Sequence, residues 1–272
     1  MKVSKHLHFT GTAVLLLVSC CLALAHAAAS RRPQLTVAAA ADLQHAMPEI
    51  VAAFEKSTGS RVTVTYGSSG NLFTQIQNGA PFDIFLAADS DYPCKLVTAG
   101  FADRDSLTGY ALGHLVLWVP QASRLDVNKG MNLLLSPEVR RIAIANPRHA
   151  PYGRAAVEAM RFTGVYDRVR DKLVFGENIS QAAQFVQSGN AQIGLLARSL
   201  VFATEMKHSG RYVEVPPASY AEIDQTAVVV SSSPNKELAH KFVHYLRGAR
   251  AVDLLRKYGF VEPASEARSS GK

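Results

Sequence analysis

Cysteine is scarce in this chain of 272 residues: there are three, and Cys20 and Cys21 fall in a segment with the marks of a leader. Once that segment is removed, Cys94 has no intramolecular partner, which excludes a disulfide framework and leaves Cys94 expected as a small buried apolar residue. Charge is also thin, at 19% of residues, and the basic ones are dispersed, with Arg140, Arg141 and Lys257 typical. No basic stripe interleaved with aromatics appears, so nucleic acid is not an expected partner. Internal repeats and low-complexity segments are missing as well. The apolar run at residues 13–24 is too short to span a bilayer comfortably.

What is present fits a soluble globular protein. Hydrophobic residues make up 48% of the chain, enough for one large or two modest domains. Lys2 and Lys5 precede the apolar run, and Ala25-His26-Ala27 supplies small residues for cleavage. Residues 1–29 are therefore read as a secretory signal peptide and the mature protein as exported. Leu17-Val18-Ser19-Cys20 also has the look of a lipoprotein box, but the apolar run continues past Cys20 to the better Ala-x-Ala site, so a lipid on Cys20 is the lesser reading. The leader carries two lysines and no acid, so its loss lowers the formal net charge from +7 to +5.

The rest of the chain is organised around Gly67-Ser68-Ser69-Gly70-Asn71, between an alternating apolar run at 61–66 and a helical pattern at 72–78. A strand that ends at two hydroxyls and hands over to a helix aims free N–H groups and serine side chains at one spot. Such a spot binds an anion without help from Lys or Arg. The arrangement recurs. Residues 35–41 read as a buried strand ending in small residues, then Asp42 as a helix N-cap and an apolar face at Leu43, Met47, Ile50, Val51 and Phe54. Pro48 either kinks the first turn or sets the helix start near Met47. A strand at 141–145 leads through Pro151 and Gly153 into a helix over 154–162, and a strand at 172–175 ends at Gly176-Glu177-Asn178-Ile179-Ser180 before a helix over 181–187. Four strands thus end at four helix starts. Further strands are expected at 82–88, 115–119, 193–197 and 226–230, and one closing amphipathic helix over 236–257, stopped by Gly259. The alternation defines an α/β fold in two lobes with a ligand cleft between them: residues 33–113 with 228–272 in one, 114–227 in the other.

Several motifs occur together in a fixed order: Ala39-Ala40-Ala41-Asp42-Leu43, Gly67-Ser68-Ser69-Gly70, Gln75-Ile76 with Gly79-Ala80-Pro81-Phe82-Asp83, Ala87-Ala88-Asp89, Asn146-Pro147 with Ala150-Pro151-Tyr152-Gly153, Glu177-Asn178-Ile179-Ser180-Gln181-Ala182, and Lys257-Tyr258-Gly259-Phe260. Their spacing resembles the periplasmic molybdate-binding proteins of ABC transporters, which are type II periplasmic binding proteins. The resemblance covers residues 35–260. It implies a periplasmic binding protein and not an enzyme, a monomer without a cofactor, that captures molybdate and tungstate and delivers them to a membrane permease. It also implies the contacts: Asp42, Tyr152 and Ile179 through their N–H groups, Ser69 through N–H and hydroxyl, with Ala41 and Ser68 adjoining. The metal enters only as its oxyanion. One branch of the family has a serine where Asp42 stands and a ligand-contacting tyrosine where Ala197 stands, so the set here relies more on backbone amides.

Asp42 decides between ligands. A carboxylate aimed into the pocket would repel a dianion and could accept the proton of monohydrogen phosphate. Turned back to cap its own helix, it leaves only its N–H for the ligand, and a donor-only pocket rejects protonated phosphate. The second arrangement is expected. The alternatives are another tetrahedral oxyanion, sulfate or phosphate, and, from a different class, an exported phosphate or sulfate ester hydrolase using the donors as an oxyanion hole. Ser69 lacks G-x-S-x-G spacing, and no positioned His or acid suggests a triad. An organic anion or ferric ion is a third option, although ferric ion would want converging phenolates or carboxylates and only Tyr152 is near the cleft. His240 and His244 fall one turn apart without a third ligand, so they read as a solvated helix face. His149 sits in a donor loop, and Asn178-Ile179-Ser180 matches a glycosylation triplet, outweighed by its place at a helix start.

Overall fold

The computed structural model describes residues 32–263, so the leader and Cys20 lie outside the described residues. Two five-stranded mixed sheets carry the chain. In the first, β1 (Gln34–Ala40) lies between β2 (Arg61–Gly67) and β3 (Ile84–Ala87), parallel to both. Beyond β3 come β10 (Ile223–Val229) and β4 (Thr108–Gly113), added antiparallel. In the second, β7 (Leu173–Gly176), β6 (Ile142–Ala145) and β8 (Ile193–Ala197) run parallel, and β5 (Leu115–Pro120) and β9 (Gly210–Glu214) complete it, with β5 antiparallel to β8 and β9. All residues of β3, β6 and β8 are buried, which is why these short runs are apolar without alternation.

Helices follow the parallel strands. After β1 comes a single 3-10 turn, Ala41–Leu43, and then α1 (Met47–Thr58), with Pro48 in its first turn where no amide is needed and Gly59 closing it at φ 70°. α2 (Ser69–Gln77) follows β2, α3 (Asp91–Thr98) follows β3, α4 (Pro151–Phe162) follows β6, and α5 (Ile179–Gln187) follows β7. Phe54 of α1 meets Phe242 and Tyr245 edge-on, with ring centroids 4.9 and 5.4 Å apart, and so ties the first sheet's cover to α6 (Lys236–Leu246).

Several expectations need correction. The closing helix is two, α6 and α7 (Ala249–Lys257), because Gly248 between them is extended at φ −74° and ψ 151°. The strand expected at 226–230 is β10, which begins earlier, at Ile223. β4 and β9 were not foreseen. Cys94 is exposed: α3 buries Pro93 and Leu96, and Cys94 falls on the other face.

Candidate functional site

Residues that follow β1, β2, β3, β6 and β7 line one small cavity between the sheets. Its empty space is about 210 Å³, mouth included. Even with open solvent counted the space is small, so only a small solute fits. Ala41, Asp42, Ser68, Ser69, Tyr152 and Ile179 all line it, none more than 4% exposed. Among the described residues, no lysine, arginine or histidine does. A larger open cleft beside it, about 910 Å³, presents Asp89, Asp91, Glu158, Glu222 and Asp224 against Arg154, the wrong sign for an anion.

Each turn brings amides of a first helical turn, which have no acceptor within the helix. At α2, Ser68 is the N-cap and accepts from the Asn71 amide at 3.4 Å, which leaves the Ser69 amide. Ser69 Oγ accepts from the Ala88 amide at 3.0 Å, so its own O–H remains to be donated. At α5, Asn178 Oδ1 accepts from the amides of Ser180 and Gln181, both at 3.0 Å, and leaves that of Ile179. At α4, Pro151 has no amide, and the Ala150 carbonyl takes those of Gly153 and Arg154, so Tyr152 holds the remaining donor of that turn. The fourth turn is Ala41–Leu43, with Asp42 at its middle. The cavity thus gathers neutral dipoles whose positive ends suit an anion.

The Asp42 side chain does not cap its own helix, as the sequence suggests; the Ala41–Leu43 turn has no side-chain cap. Instead Asp42 Oδ2 accepts from Gln225 Nε2 of β10 at 2.9 Å. Neither Gln225 nor Tyr110, whose hydroxyl carries no partner, lines the cavity, so the carboxyl lies behind it. Burial pushes the Asp42 carboxyl up to about 7, with hydrogen bonding from the Tyr152 hydroxyl, nearby amides and Gln225 opposing the shift. Burial, and after it the Asp42 charge, likewise raises the Tyr152 hydroxyl well above the ordinary phenol range.

Contacts between the two sheets' turns surround the cavity. Ser180 Oγ donates to the Ala41 carbonyl at 3.0 Å and Ser199 Oγ to the Asp42 carbonyl at 2.8 Å. The Gly70 amide donates to the His149 carbonyl at 2.8 Å, Asn71 to Glu177, and Arg154 pairs with Asp89. A Cβ at Gly70 would stand 2.8 Å from the His149 carbonyl oxygen, so only glycine permits that approach. His149 is positioned after all: Nδ1 lies 2.9 Å from Ser68 Oγ and Nε2 3.7 Å from Glu177. With the proton on Nδ1, the Ser68 hydroxyl is free to donate into the cavity. Serines 180 and 199 and Gln225 were not foreseen as contributors; the serines' only signal was proximity to the helix starts, and Gln225 lacked even that. His240 pairs with Asp103 at 3.0 Å, and among the described residues no group of three metal-ligating side chains occurs.

An α/β protein of two sheets with a small, neutral, donor-lined cavity between them has the build of a solute-binding protein. The chain belongs to that class by descent: the sequence profile of the bacterial extracellular solute-binding proteins matches residues 35–261. It is similar to the molybdate-binding protein ModA of Rhodobacter capsulatus, 40% identical over 228 residues that cover 84% of this chain and 88% of that one. ModA of Azotobacter vinelandii is 38% identical over 234 residues, 86% and 92% of the two chains. The solved structure of the Azotobacter vinelandii periplasmic molybdate-binding protein superposes with a TM-score of 0.80 at 33% identity, covering 84% of this chain and 99% of that one. The fold is therefore that of the periplasmic binding proteins, and the chain is a binding protein rather than an enzyme.

Proposed function

We propose that this chain captures molybdate, and tungstate with it, and hands it to the membrane permease of an ABC transporter. One observation carries the reading: residues of four strand-to-helix turns line one buried cavity, with the Ser69 hydroxyl and the first-turn amides of Ser69, Tyr152 and Ile179 not taken up by their own turns and no cationic side chain among the described lining residues. The Asp42, Ser69, Tyr152 and Ile179 amides and the Ser69 hydroxyl then hold the oxyanion, with Ala41 and Ser68 completing the wall. Monohydrogen phosphate is refused because its proton meets donors rather than a carboxylate: the Asp42 carboxyl, the strong acceptor nearby, is held by Gln225 behind the cavity. The choice of molybdate over sulfate is supported by the relatives.

Residues 34–113 with 223–263 form one lobe and 114–222 the other in this reading. Asp42 and Ser69 come from the first, Tyr152 and Ile179 from the second, so only the closed arrangement lets all four share one anion. The ligand thereby fastens the lobes. The protein works as a monomer in the periplasm, exported by a signal peptide at residues 1–29. Calorimetry on one purified sample with molybdate, tungstate, sulfate and phosphate tests the assignment: molybdate and tungstate should bind and phosphate should not. Phosphate binding without molybdate binding would reverse it.

A further inference from the structure

Behind the cavity, against β4 and β10, four polar side chains meet in the interior. Asp42, Tyr110, Tyr152 and Gln225 are each at most 3% exposed. The Gln225 amide donates to Asp42 Oδ2, and the Tyr152 hydroxyl stands beside the Asp42 carboxyl. Room for that hydroxyl exists only because residue 113 is glycine: a Cβ there would lie 2.2 Å from Tyr152 Oη. Four atoms are left without a hydrogen bond of good geometry: Asp42 Oδ1, Gln225 Oε1 and the hydroxyl oxygens of Tyr110 and Tyr152. For so small a cluster that is a large share, since buried polar atoms are ordinarily paired.

A buried carboxylate is ordinarily neutralised by a cation or by a proton. The elements packed on Asp42 offer no cation. Tyr110 faces it from β4 and Tyr152 from α4. On α4, Arg154 is spent on Asp89 and Glu158 on the Ala221 amide; on β10, Asp224 adds only another acid. Arg198, next to Ser199, is bound to the Gly259 carbonyl and Glu214. α5 carries no charged residue, and Arg61 stands exposed at the far end of β2. A proton is the remaining means. Asp42 lines the cavity itself, so a bound dianion sits beside this residue in a low-dielectric interior, where unrelieved repulsion with its carboxylate is costly.

We infer that Asp42 takes up a proton when the cavity takes its dianion, so that oxyanion capture is linked to proton binding at the buried Asp42–Gln225–Tyr152–Tyr110 cluster. The inference rests on the function proposed above. The proton comes from solvent to Asp42 Oδ1, the oxygen without a partner. The site then carries the anion's two charges rather than three, and the new O–H can serve one of the unpartnered oxygens beside it. In the closed arrangement burial raises the carboxyl to about 7, and opening of the lobes relieves that burial, so the free protein is largely ionised at pH 8 and the linkage is open to measurement there.

Titrating molybdate at pH 8 in two buffers of different ionisation enthalpy counts the protons. Wild type should take up close to one proton per anion. Its affinity should fall about tenfold per pH unit above Asp42's free value, and Asp42→Asn should show neither effect. Infrared difference spectra of wild type need no variant: a protonated-carboxyl band should rise with molybdate. Binding without proton uptake and without that band overturns the inference and leaves the ligand assignment standing. Uptake that persists in Asp42→Asn overturns it too, by putting the proton elsewhere. A sample that gives no molybdate heat at all in either buffer overturns the ligand assignment, and this inference with it.

Discussion

Ser69 divides its hydrogen-bonding roles between holding the fold and facing the cavity, since its oxygen accepts from Ala88 while its O–H remains to be donated to the ligand. Ser69→Ala removes a donor to a charged group, a loss of about 1.5–3 kcal/mol. Molybdate affinity should therefore fall roughly 10- to 150-fold by calorimetry. An unchanged affinity would remove Ser69 from the site. Asp42 bears on stability as well. Its folded value, about 7, exceeds its ordinary 3.8. The native state thus keeps a proton that the unfolded chain has lost, and Asp42's contribution to stability falls as pH rises from about 4 to 7, then levels off. Urea unfolding of the ligand-free protein should find Asp42→Asn equal to wild type near pH 4 and more stable at pH 8, by up to about 4 kcal/mol. A difference that does not change with pH would mean that Asp42 titrates normally.

Among elements, the proposed function falls to the four helix starts, and α2 shows how closely they meet. Its Gly70 donates to the His149 carbonyl of the facing turn. Gly70→Ala would press a methyl group onto that oxygen, so we expect molybdate affinity to drop tenfold or more while ligand-free thermal stability shifts little; equal affinity would show that the turns need not approach so closely. These starts were legible because each has a chemical mark: small residues at a strand end, Ser-Ser between glycines, a proline before Tyr152, an asparagine cap before Ile179. β4 and β9 were not, since Thr108–Gly113 and Gly210–Glu214 offer neither an apolar run nor clean alternation. The closing helix appeared continuous because its apolar spacing carries on across the extended Gly248. Cys94 was misjudged because residue type was weighed without the helix face it occupies. The Asp42 carboxyl was misjudged for a deeper reason: its partner Gln225 is 183 residues away, and no local pattern reveals such a pairing.

At the scale of the whole molecule, the cavity is a joint product of two sheets, and the cross-contacts of Ser180, Ser199, Gly70, Asn71 and Arg154 belong to the closed arrangement. A ligand that binds only the folded, closed protein stabilises it by mass action, about 2.7 kcal/mol at a hundredfold excess over Kd. For a chain of this size that is a rise in Tm of roughly 5–10 °C with molybdate. No rise at saturating molybdate would sever ligand from closure. The most direct measurement is a crystal structure of the molybdate complex, with molybdenum located by its anomalous scattering. The account predicts one peak between the turns at Asp42, Ser69, Tyr152 and Ile179, its oxygens met by their amides and the Ser69 hydroxyl, and no side-chain cation in contact. A peak elsewhere, or an oxyanion held by Arg or Lys side chains, would contradict it.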